Sequence, residues 1–95
     1  MDKNFILDLV EFGAKVADVC EEGVISYFGL DRNSEEDIEF AKAIGYETAR
    51  RVAADIIDGK VSIDITATDE GSVKAIEDLI MKHLNNVVKE MGSRG

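Results

Sequence analysis

Ninety-five residues make one domain with room for a single modest core, and 45% hydrophobic with 33% charged residues is the balance of a chain that folds. Eleven Lys and Arg against 20 Asp and Glu leave a formal net charge of -9. Such a surface repels a phosphate backbone and anionic lipid, so neither nucleic acid nor a membrane is an expected partner. Cys20 is alone, which excludes an internal disulfide and a four-cysteine zinc site. With no signal-peptide pattern and no run near ~18 apolar residues, the expected location is a reducing cytoplasm.

From Asn4 to Cys20 the residues Phe5, Ile6, Leu9, Phe12, Val16, Ala17 and Cys20 recur every three or four positions, with Asp8, Glu11, Lys15 and Asp18 opposite them. That spacing predicts an amphipathic helix. Gly13 costs ~1 kcal/mol there relative to Ala, and Val16 to Cys20 also admits a strand, with Glu21 to Gly23 as a hairpin turn. Val24 to Phe28, β-branched and aromatic between Gly23 and Gly29, predicts a short strand.

Leu30 to Asn33 then forms a loop. Ser34 is a good N-cap, and Glu35, Glu36 and Asp37 suit the positive end of a helix dipole. The helix from about Glu35 to Ile57 stops at Asp58 and Gly59. At ~1.5 Å per residue it outruns any strand of five to eight residues and should overhang a sheet. Its core stripe is Ile38, Ala41, Ile44, Gly45, Thr48, Ala49, Val52, Ala53 and Ile56. Within it the row Ala41, Gly45, Ala49 and Ala53 lets another backbone come close, either in the same chain or in a second copy. Phe40 lies nearly opposite that stripe and is the first candidate for a partner contact.

Val61 to Thr68 alternates strictly, with Val61, Ile63, Ile65 and Ala67 against Ser62, Asp64, Thr66 and Thr68. This pattern predicts a strand with one face on a core and one wet. Thr68 can cap a last helix with Asp69 and Glu70 in its first turn. Val73, Ile76, Ile80, Leu84, Val87 and Met91 mark its buried face, Gly92 stops it, and Ser93 to Gly95 make a frayed tail.

Asp64, Thr66, Thr68, Asp69 and Glu70 supply hard oxygen ligands of the kind that hold Mg²⁺ or Ca²⁺, and Asp64, Asp69 and Glu70 are the metal candidates. Helix capping is the simpler use of Thr68, Asp69 and Glu70, leaving Asp64 and Thr66 without an assigned task. Asp31, Asn33 and Glu35 match the start of a calcium loop, but Glu36 stands where that loop needs glycine and Lys42 where it needs a bidentate carboxylate. His83, the sole histidine, sits at the edge of the last apolar stripe, and nothing in sequence brings it to Cys20. Glu47, three and four residues before Arg50 and Arg51, with Asp55 four after Arg51, accounts for both arginines by helix-surface pairing. No glycine-rich phosphate loop or nucleophilic triad is present.

These elements predict an α+β domain over residues 1–95, in the order αβαβα, with helices on one face of a small β-sheet. Two strands rarely stand alone, so either an extra N-terminal strand or a second chain should complete the sheet. The expected function is a non-enzymatic protein–protein interaction module acting as a homodimer and needing no cofactor. Phe40, Asp64 and Thr66 are its expected partner-binding residues. The alternative is a small-ligand or divalent-cation site built from Asp64, Thr66, Asp69 and Glu70.

Overall fold

The structure, a computed structural model, describes residues 2 to 92. It contains three helices: α1 (Lys3–Phe28), α2 (Glu35–Ile57) and α3 (Glu70–Gly92), and no strand among the described residues. The expected α+β fold, its sheet and its αβαβα order are therefore replaced by an all-helical hairpin of α1 and α2 with α3 laid along α2. Met1 and the tail 93–95 lie outside the described residues.

Both expected strands fail for identifiable reasons. Val24 to Phe28 continues α1, because Val16, Cys20 and Val24 form one buried row at four-residue spacing that Gly23 does not interrupt. The strand reading of 16–20 fails on the same row. Val24 and Ile25 are both buried, which a half-wet strand would forbid by pointing them to opposite faces. The glycine that ends the helix is Gly29, left-handed at φ 62, not Gly23.

Without a strand at 24–28, Val61 to Thr68 has no ladder to join. It crosses from α2 to α3 as an irregular connection with a turn at its middle. The alternation survives as burial: Val61, Ile63, Ile65 and Ala67 are partly covered, while Ser62, Asp64, Thr66 and Thr68 are exposed. Extended backbone alternates its side chains whether or not it is hydrogen-bonded to a neighbour, so the pattern marked a half-covered strap rather than a sheet.

The second helix begins as its sequence predicts. Ser34 caps it by accepting from the Asp37 N–H at 3.3 Å, and Glu35, Glu36 and Asp37 fill the first turn. It ends at Asp58, with Gly59 left-handed at φ 72. The three helices have 26, 23 and 23 residues, so α2 is matched by its neighbours and overhangs no sheet. In α3 the cap is Asp69 rather than Thr68; its Oδ2 accepts from the Ser72 N–H at 3.0 Å.

α2 is the central element. Both α1 and α3 pack along it and touch each other far less. Asp55 meets His83 and Arg51 meets Glu90, so α3 runs antiparallel to α2. Val24 and Ile25 of α1, Ala41 and Ile44 of α2 and Val87 of α3 make one buried cluster, and Val16, Cys20 and Ala49 make a second. Thr48, wholly buried among them, donates its hydroxyl to the Ile44 carbonyl at 2.8 Å, so its burial leaves no lone donor. The small-residue row of α2 is where α1 approaches. A Cβ on Gly45 would stand 2.5 Å from the Ala17 carbonyl oxygen.

Candidate functional site

Of the residues singled out in the sequence, Asp64 and Thr66 meet in one turn with Asp69 near enough to act on Asp64, while Phe40 packs against Phe28. Asp64 closes a turn on itself: its Oδ1 accepts from the Thr66 N–H at 3.0 Å and from the Thr66 hydroxyl at 2.7 Å, and the Ala67 N–H reaches the Asp64 carbonyl. Those two bonds from Thr66 hold the Asp64 carboxyl below its usual value. Asp69 is lowered likewise by its bonds from Ser72. These are side-chain turn and capping geometries that any Asp-x-Thr or capping Asp can make. Among the described residues no three His, Cys, Asp or Glu side chains are placed to hold a metal ion.

Phe40 is half-buried rather than projecting from an overhang. Its ring meets that of Phe28 edge to face, with centroids 5.9 Å apart, and it packs against the Ile44 cluster. Asp31 accepts from the Asn33 N–H, and Asp37 from the Asp31 N–H, so that acidic stretch is a loop and helix start. Cys20 is sealed in the core, where burial pushes its thiol up to about 11 and removes nucleophilic character.

What sequence reading missed is a polar seam between α2 and α3. His83 Nε2 donates to Asp55 Oδ2 at 2.6 Å, and both side chains are largely buried. Next to it Glu47 accepts from Arg50 and Arg51, while Arg51 also reaches Glu90 across the seam. Asp55 thus serves His83, not Arg51. Twenty-eight residues separate Asp55 from His83, so no local spacing could have joined them.

The bond from His83 holds the Asp55 carboxyl below its usual value. The folded state therefore binds fewer protons here than the unfolded chain. This stabilisation is present above the ordinary Asp value of ~3.9 and is lost as pH falls through the lowered one. Asp55→Asn should lower stability at neutral pH and flatten the acid limb of the stability curve, read by urea unfolding at a series of pH values. Glu47 is lowered too, by Arg50 first, so the limb should flatten without disappearing. Curves for the two proteins that run parallel would contradict the assignment.

Two of the grooves on the surface have mainly apolar linings. The first, between α1 and α2, has a volume of about 390 Å³; its floor is Gly13, Ala14, Ala17, Ala49 and Ala53, and Val10, Tyr46 and Arg50 stand at its walls. Val10 and Tyr46 are 65% and 69% exposed. The second lies between α1 and α3. Six large apolar side chains of α1 remain exposed: Ile6, Leu7, Val10, Val19, Tyr27 and Phe28. Its apolar surface is wider than α2 and α3 together can cover, unlike that of an ordinary surface helix.

No family model matches the chain, and no curated protein or solved structure is significantly similar to it. No described helix is long and apolar enough to cross a membrane.

Proposed function

We propose that this protein is a non-enzymatic protein–protein interaction module that acts as a homodimer through the outer face of the α1–α2 hairpin. The observation that carries this reading is the first groove. Its wall side chains Val10 and Tyr46 stand beside a floor of glycine and alanine. A two-fold axis through such a face sets each copy's projecting side chains over the other copy's small residues, which is the self-complementarity an isologous contact requires. Two hairpins then make a four-helix bundle, covering apolar surface that α1 leaves wet.

Charge favours this face over the rest of the surface. A chain at -9 repels its own copies, yet no groove-lining residue is acidic and Arg50 is the one charge. The face differs from the one expected around Phe40, Asp64 and Thr66, because those side chains are engaged in the Phe28 contact and the 64–67 turn.

Size-exclusion chromatography with light scattering tests the reading. Wild type should run at the dimer mass in the micromolar range, and Val10→Asp with Ala14→Glu should run as a monomer with unchanged helical circular dichroism, both positions being exposed. A wild-type mass that stays monomeric throughout that range overturns the dimer.

A further inference from the structure

The second groove opens where α1 and α3 part. Gly23, Val24, Tyr27 and Phe28 line one side, and Met81, Leu84, Asn85, Val88 and Lys89 the other, around about 510 Å³. That volume is within the usual range for small-molecule clefts, and the lining follows their pattern of apolar and aromatic walls with a few polar groups. Gly23 creates part of the space, since a Cβ there would meet nothing within 4 Å. The aromatic end is held in place: Phe28 makes edge contacts with Tyr27 on one side and Phe40 on the other.

The polar groups are not scattered. Asn85 and Lys89 lie four residues apart on α3 and so share a helix face. Lys89 is the groove's one ionisable charge besides the Tyr27 phenol, and it is a cation on a chain at -9. Among the described residues it forms no ion pair, whereas neighbouring Glu90 pairs across the other seam with Arg51. An apolar slot with an ammonium and an amide in its lining is complementary to a carboxylate that carries an apolar tail.

We infer that this groove binds a free monocarboxylic acid with an unbranched alkyl chain, the chain lying between Tyr27, Met81, Leu84 and Val88 and the carboxylate on Lys89 and Asn85. Burial of the chain gives affinity and Lys89 gives the sign of charge. Each added methylene should then raise affinity by roughly threefold to fourfold until the groove is filled. The site is separate from the hairpin face, so binding should persist in the monomeric variant carrying Val10→Asp and Ala14→Glu.

Titrating decanoate, below the concentration at which it aggregates, while following amide and methyl shifts tests the site. Expected are saturable shifts at Tyr27, Met81, Leu84 and Val88, weaker by about tenfold with decyltrimethylammonium in place of the carboxylate. Lys89→Gln should remove that preference, and Gly23→Leu, which fills the notch without displacing backbone, should abolish binding in a protein at least as stable as wild type. No localised shifts, equal binding of the cation, or binding untouched by Gly23→Leu each overturns the inference. So does wild-type broadening at these residues that grows with protein concentration and vanishes in Gly23→Leu, since a second copy would then be the occupant.

Discussion

Gly45→Ala should destabilise the protein by about 1–3 kcal/mol, against the direction helix propensity gives. Replacing a helical glycine with alanine ordinarily gains ~1 kcal/mol by restricting the unfolded chain. At Gly45 the added methyl would lie 2.5 Å from the Ala17 carbonyl oxygen and 3.3 Å from the Glu21 nitrogen. Both obstacles are backbone, so no rotamer change relieves them. The helices have to separate, and the α1–α2 contacts along the row Ala41, Gly45, Ala49 and Ala53 loosen with them. Gly23→Ala is the matched comparison: it also sits inside a helix, but in open space, and should stabilise by about 0.5–1 kcal/mol. Urea unfolding of the two variants should therefore move in opposite directions. Equal stabilisation by both would mean that α1 and α2 do not approach at Gly45.

Ile44→Ala should cost about 2–5 kcal/mol, a large part of the stability available to a domain of this size. Ile44 is wholly buried and clusters with Val24 and Ile25 of α1 and Val87 of α3, so its truncation opens a cavity where all three helices meet. Collapse to fill it is resisted from both sides, since α1 is pressed against Gly45 one residue on and α3 is tied to Asp55 and Arg51. Should Ile44→Ala fail to fold, Ile44→Val gives the graded measure, with about 0.5–1.5 kcal/mol expected. A cost within a few tenths of zero for Ile44→Val and a folded, near-wild-type Ile44→Ala would contradict a core shared by three helices.

Legibility in the sequence followed the range of the interaction. Ser34 and its acidic first turn, the stop at Asp58 and Gly59, and the apolar row of α2 are set by residues within one or two turns, and they stand in the structure where spacing placed them. In α3 the row holds at Val87, but Val73 is exposed and Leu79, outside the expected face, is buried. The stretch Val24 to Phe28 was misjudged because its β-branched and aromatic content outweighed the four-residue row Val16, Cys20, Val24 that runs through Gly23. Strand propensity describes how well a side chain suits a half-buried pleat, and it carries little weight where a helix offers deeper burial. The His83–Asp55 bond and the two grooves were beyond reach, because each joins helices whose relative placement no local pattern encodes.

By itself, then, the sequence determined most of the helical rows of α1 and α2, the cap at Ser34 and the alternation of 61–68, whereas the cap at Asp69 in place of Thr68 and the Asp64–Thr66 turn came from the structure. Each depends on neighbours a few residues away. Only the tertiary structure decided that this alternation is a strap rather than a strand, that Phe40 packs edge to face on Phe28, and that Asp55 holds His83. Those outcomes turn on which surfaces compete to be buried: once α1 extended to Phe28 and lay on Gly45, no strand remained to pair, and the apolar surface left over became the two grooves.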